Sequence, residues 1–227
     1  MHTLMVADDH PLFREAIAAV IEAGLPESRL LEAESLAEAL RHAGDCAELD
    51  LVLLDLGLPD ASGLEGLRAL REAHPWLPVA ILSADQERRT ILDALDLGAV
   101  GYIPKSTPRR DLLTALAQLL EGQVYLPPDI MRRPAVPRSS PAGAGTPSPG
   151  SRFAELTDKQ LEVLIRLSRG ASNKVIAREL DIAETTVKTH VSAILRKLGV
   201  PGRVQAILAA GEADLETLLA ERHPPSR

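Results

Sequence analysis

Residues 127–151 read PPDIMRRPAVPRSSPAGAGTPSPGS, a segment with seven of the chain's 17 prolines and almost no large apolar side chains. Such a stretch cannot bury enough surface to offset the entropy of ordering it, so no single core runs through it. The 227 residues are therefore expected to form two small folded units, 1–126 and 152–215, joined by a Pro-rich flexible linker over 127–151 and followed by a tail, 216–227. A flexible segment of that length spans roughly 25–30 Å root-mean-square, and its prolines stiffen and extend it.

The two units differ in charge. Residues 1–126 carry a net −11, whereas 127–151 and 152–227 carry +2 each, and 152–208 alone carries +4. An acidic unit followed by a mildly basic one implies different partners. Aromatics are only 2 % of the chain, which argues against a nucleic-acid site built on rows of stacking rings. A single cysteine, Cys46, excludes an internal disulfide and a cysteine-rich zinc site. With neither a basic leader nor an apolar run of membrane length, the chain reads as cytoplasmic with no membrane partner.

In the first unit, short runs rich in Val, Ile and Leu (TLMVAD, RLLEAE, DLVLLD, PVAILS, VGYIP) alternate with stretches of helical period, among them Leu12, Ala16, Ala19, Val20 and Leu64, Leu67, Leu70, Arg71. That alternation predicts an α/β fold, a doubly wound five-stranded parallel sheet of flavodoxin-like type with helices on both faces. Ligands of such sheets bind beyond the carboxyl ends of the strands. The residues there are Asp8 and Asp9 after the first run, Asp55 after the third, Ser83 at the end of the fourth and Lys105 after the fifth. Each alone is an ordinary cap, turn or surface residue. Together they form a chemically coherent set: clustered carboxylates that suit Mg²⁺, one able to attack a phosphoryl group, with a hydroxyl and an ammonium to meet the phosphoryl oxygens.

The segments VADDHPLFREAI, LVLLDLGLPDASGLE, ILSA and GAVGYIPKS, taken in order over about residues 3–122, resemble the receiver domain of two-component response regulators. The resemblance implies that Asp55 is the phosphoacceptor, Asp9 a direct Mg²⁺ ligand, Asp8 a water-mediated one, and the Gly57 carbonyl a further ligand. It makes Ser83 and Lys105 the switch hydroxyl and the phosphate-pairing lysine, and Tyr102 the aromatic that turns inward on activation. A histidine kinase is the implied phosphoryl donor.

After the linker only helical periods appear, punctuated by Gly170, Gly199 and Gly211. Thr157 and Gln160 make a capping-box pattern, SNKVIAREL reads as a short helix, and ETTVKTHVSAILRKLG places Val187, Val191, Ile194, Leu195 and Leu198 on one stripe. The opposite face carries Thr185, Thr189, Ser192 and Arg196, with Lys188 on its flank. A short helix, a turn and a longer helix with a polar outer face predict a small all-α helix-turn-helix domain. Over about residues 153–213 the chain resembles the DNA-binding domain shared by LuxR-type regulators and NarL/FixJ response regulators. The resemblance makes 184–198 the recognition helix, with Lys188, Thr189 and Ser192 toward bases and Asn173, Lys174 and Arg203 toward phosphates of double-stranded DNA. GRVQAILAAG resembles the helix through which such domains pair, so a homodimer is expected on phosphorylation. Ala183 departs from the family's usual capping Ser or Thr, and Ser192 stands where many relatives carry a basic residue.

The expected whole is a phosphorylation-controlled DNA-binding regulator, not an enzyme. A Mg²⁺-dependent phosphohydrolase with an aspartyl nucleophile is the alternative from another class, disfavoured because many of these carry a second Asp where this chain has Gly57. A regulator indifferent to phosphorylation is another alternative. A LuxR-type quorum receptor is disfavoured because the first 126 residues supply a receiver. The full chain, GQVYLPPDI included, also resembles activators of glycerol or alcohol metabolism.

Overall fold

The computed structural model describes residues 2–127 and 153–211, together with Leu215 and Leu219. The predicted linker, apart from Pro127, and the predicted tail, apart from Leu219, lie outside the described residues.

The first unit alternates β1 (His2–Ala7), α1 (Pro11–Gly24), β2 (Ser28–Ala33), α2 (Leu36–Asp45), β3 (Leu49–Leu54), α3 (Glu65–Ala73), β4 (Val79–Ser83), α4 (Arg88–Asp96), β5 (Gly101–Pro104) and α5 (Arg109–Leu120). Its strands form one sheet in the order β2-β1-β3-β4-β5, with every neighbouring pair parallel. Because side chains alternate across a strand, the apolar runs divide between two cores. Met5, Val52, Leu54 and Ile81 face α2, α3 and α4 with Leu67, Leu70 and Ile91. Leu4, Leu51, Leu53 and Leu82 face α1 and α5 with Ile17, Ile21 and Leu116. Strands buried on both faces explain why the sequence shows continuous apolar runs instead of alternation.

The buried face of α1 differs from the expected one. Leu12 is 80 % exposed, and Ala16 and Ala19 also face solvent, while Arg14, Ile17, Val20 and Ile21 turn inward. Arg14 can do so because Asp8 O accepts from its Nη1 at 2.7 Å and Glu32 and Glu34 take its remaining donors, a satisfied buried charge that apolar periodicity does not register.

The second unit comprises α6 (Asp158–Ser168), α7 (Asn173–Leu180), α8 (Glu184–Leu198) and α9 (Arg203–Gly211). The Thr157–Gln160 capping box closes reciprocally at the start of α6. Leu161, Leu164, Ile176, Val187, Val191 and Ile194 meet in its core. Among the described residues no helix is long and apolar enough to cross a membrane.

Candidate functional site

The acidic pocket is built by the sheet itself. Asp8 N donates to Ala33 O and Asp55 N to Ala7 O, so both residues continue the strand ladders at adjacent strand ends. Lys105 is held likewise, its N–H donating to Ser83 O at 2.9 Å. Asp8 is fully buried and Asp55 nearly so. Lys105 Nζ lies 2.7 Å from Asp8 Oδ2 and 2.9 Å from Asp55 Oδ2, bridging the two carboxylates. Burial works against the ammonium, but its hydrogen bonds to Asp8 and Asp55 outweigh that and hold its pKa above the usual lysine value.

Ligand atoms of Asp8, Asp9, His10 and Asp55 all fall within 4.8 Å of one another. Three carboxylates around one ammonium leave excess negative charge in a mostly buried site, and the oxygen-rich donor set is what a hard divalent cation requires. Gly57 leaves the entrance open: a Cβ there would stand 3.1 Å from Asp55 Oδ2. Ser83 Oγ accepts from Asp85 N at 3.2 Å. Tyr102 is fully buried, its hydroxyl donating to Asp85 O at 2.6 Å, and burial first of all pushes its pKa up to about 12. The aromatic is thus inward already. His10 is the residue that sequence reasoning missed. Its Nδ1 is 2.7 Å from Asp9 Oδ1 and 3.1 Å from Asp8 Oδ1, and the signal was a metal-ligating side chain directly after the acidic pair.

In the helical unit, Ser172 caps α7, accepting from Val175 N, and α7 ends on Asp181 in the left-handed conformation at φ 53°. The predicted recognition helix, α8, is preceded by Ala183 at its N-cap, which offers no side-chain cap, as its sequence implies. Its Thr185 and Thr189 are exposed and Ser192 partly so. Of the remaining predicted DNA contacts, Lys174 is partly exposed, and Asn173, Lys188 and Arg203 are buried. Lys174 Nζ lies 2.6 Å from Asp50 Oδ2 on the receiver. Lys188 is 6 % exposed: its Nζ donates to Ala47 O, pairs with Glu184 at 3.2 Å and stands 4.5 Å above the Trp76 ring. Asn173 and Arg203 are buried, Arg203 donating to Ala171 O at 2.8 Å. Two further contacts close the domain interface. Arg71 Nε and Nη2 both donate to Pro201 O, at 3.1 and 2.6 Å, and Gln205 Nε2 donates to Leu95 O. The structure therefore brings Lys174 and Lys188, both predicted to meet DNA, onto the receiver.

An acidic, lysine-bridged pocket at the strand ends of a β2-β1-β3-β4-β5 sheet, followed by a helix-turn-helix unit, defines a receiver joined to a DNA-binding output domain. Residues 4–117 match the response regulator receiver domain and residues 154–210 the bacterial regulatory proteins of the luxR family. The chain belongs to the LuxR-family response regulators and is a transcriptional regulator. It is 50 % identical over 224 residues to the glycerol metabolism activator of Pseudomonas putida, covering 96 % of this chain and 99 % of that one. It is 33 % identical over 204 residues to the nitrate/nitrite response regulator protein NarL of Escherichia coli K12, covering 90 % and 92 %. Among solved structures, a LuxR-family two-component response regulator from Aurantimonas sp. SI85-9A1 superposes with a TM-score of 0.53 at 32 % identity, covering 57 % of this chain and 92 % of that one.

Proposed function

We propose that Asp55 accepts a phosphoryl group from a histidine kinase in the presence of Mg²⁺, and that this releases α8 to bind DNA. The observation that carries the reading is Lys105 bridging Asp8 and Asp55 inside a cluster that also includes Asp9. In the transfer, the phosphorus–nitrogen bond of the donor phosphohistidine breaks as an Asp55 oxygen bonds to phosphorus, and the departing imidazole takes up a proton. Asp9, Asp55 and the Gly57 carbonyl would hold the cation, with Asp8 acting through water. When bound, the cation neutralises the carboxylates and the incoming phosphoryl oxygens. Lys105 then pairs with the phosphoryl group, and the Ser83 hydroxyl donates to one of its oxygens. Ser83, Asp85 and Tyr102 are joined by hydrogen bonds, so movement of Ser83 shifts the loop that leads into α4.

DNA recognition is assigned to Thr185, Lys188, Thr189 and Ser192 on the base side and Asn173, Lys174 and Arg203 on the phosphate side. In the closed arrangement the lysines are held by Asp50, Ala47 and Trp76, which supports a resting state withheld from DNA. The working units are residues 1–126 and 152–215, separated by the 127–151 linker, acting in the cytoplasm and pairing as a homodimer once phosphorylated. The likeness to a glycerol metabolism activator supports targets in glycerol or alcohol metabolism. Intact-mass measurement with acetyl phosphate and Mg²⁺ tests the first step. Wild type gains one phosphoryl group and Asp55→Ala gains none, whereas equal labelling of the variant removes Asp55 from its role. Continuous turnover of a small phosphate monoester would instead favour a phosphohydrolase.

A further inference from the structure

Between α3 and α8 the two domains form an open-sided cavity of about 560 Å³. Leu97, Ala193, Leu195 and Val200 give it apolar walls, and three arginines, Arg68, Arg71 and Arg196, line it against a single carboxylate, Glu72. None of the three arginines has an ion pair among the described residues. Arg71 is 8 % exposed, and its described partners are neutral carbonyls, those of Leu77 and Pro201. Desolvation lowers its pKa to about 10. A buried guanidinium with only neutral partners is under-compensated. An anion in the cavity would relieve that deficit at Arg71, the buried one of the three, while Arg68 and Arg196, both exposed, add positive charge at its mouth.

We propose that this cavity is a binding site for a small organic anion with an apolar body, and that its occupation holds the domains together against DNA. The volume falls in the range of small-molecule sites, which favour domain interfaces. An inorganic phosphate or sulfate would leave the apolar walls unused, and a DNA backbone cannot enter a space that needs α3 as its opposite wall. One side of the cavity is α8 itself, through Thr189, Ser192 and Arg196. Only the closed arrangement presents both walls, so the anion and DNA select opposite arrangements of the chain. This second half rests on the reading that α8 faces DNA.

The test uses the full-length, unphosphorylated chain with 8-anilinonaphthalene-1-sulfonate, a fluorescent anion with an apolar body. Its emission is expected to rise to saturation at one site per chain, to be displaced by hexanoate but not by hexanol at equal concentration, and to need several-fold more probe in Arg68→Gln. Ala193→Phe, which fills the cavity from α8, is expected to abolish the signal. With the probe at about ten times its Kd, the apparent affinity for DNA falls about tenfold. Absence of a saturable signal, equal displacement by hexanol, or indifference to both Arg68→Gln and Ala193→Phe overturns the site. Probe binding that leaves DNA affinity unchanged overturns its regulatory half. If no form of the protein binds DNA, with or without acetyl phosphate, the functional reading fails, and the fluorescence titration still decides the site.

Discussion

Asp50→Asn is the most direct way to loosen the closed arrangement without touching the pocket or the DNA-facing residues. Asp50 is held at the start of β3, where its Oδ2 accepts from Thr3 N at 2.8 Å, and it presents the same oxygen to Lys174 Nζ at 2.6 Å. The amide keeps an acceptor for Thr3 but removes the charge opposing Lys174. Exposed pairs contribute about 0.2–1 kcal/mol, and severing a fully buried pair costs about 3–5 kcal/mol. Here the side chains are 34 % and 10 % exposed for Lys174 and Asp50, between those limits, so the closed state should lose about 1–2 kcal/mol. That corresponds to roughly a 5- to 30-fold shift toward the open form. DNA affinity of the unphosphorylated variant, measured by fluorescence anisotropy, should rise by up to that factor, while the phosphorylated variant matches phosphorylated wild type. If unphosphorylated Asp50→Asn binds DNA no better than wild type, or if both forms change equally, the pair is not a restraint on Lys174.

Gly202→Ala should also open the protein, because its Cβ would lie 2.7 Å from Gly98 Cα and 2.9 Å from Gly98 O across the interface; altered emission of Trp76, the single tryptophan, reports the change, and an unchanged spectrum and DNA affinity would count against that contact. His2 stands 3.3 Å from Lys174 Nζ and 3.6 Å from Asp50 Oδ2, and burial first, then Lys174, holds its pKa below 6.5. The closed form therefore binds fewer protons than one in which His2 is solvated, so its stability is complete above about pH 6.5 and declines as pH falls from there. Trp76 emission followed down to about pH 5.5 should show this in wild type and lose the His2-dependent part in His2→Ala; identical profiles would remove His2 from the latch. Gly57→Asn places an amide beside Asp55 Oδ2, within reach of a water attacking the phosphoryl group, and should shorten the phosphorylated lifetime several-fold. An unchanged or longer lifetime contradicts that account.

The pocket was legible in the sequence because strand ends are fixed by the apolar runs: once TLMVAD and DLVLLD are strands, parallel pairing of β1 and β3 puts Asp8 and Asp55 side by side. The phase of α1 was not, because Leu12 and the alanines mimic an apolar stripe while the true inner face includes Arg14, whose partners come from the end of β1, from β2 and from the loop after β2. The stripe of α8 was readable, since Val187, Val191 and Ile194 recur at helical spacing and are buried. Its flanking Lys188 was readable only as a surface cation. What buries it is Trp76 and the Ala47 carbonyl, more than a hundred residues away in sequence, and no local pattern encodes such docking. Asp50 belongs with it, a residue whose role arises only when distant elements meet.

The central claim is that phosphorylation of Asp55 frees the recognition helix. It is tested most directly by measuring binding to a selected DNA site and to a scrambled one, before and after acetyl phosphate with Mg²⁺, for wild type and Asp55→Ala. Phosphorylated wild type should bind the selected site at least tenfold more tightly than before, with little gain on the scrambled DNA, while Asp55→Ala remains at the unphosphorylated level. Equal affinity of wild type before and after phosphorylation, or an equal gain in Asp55→Ala, would contradict the account.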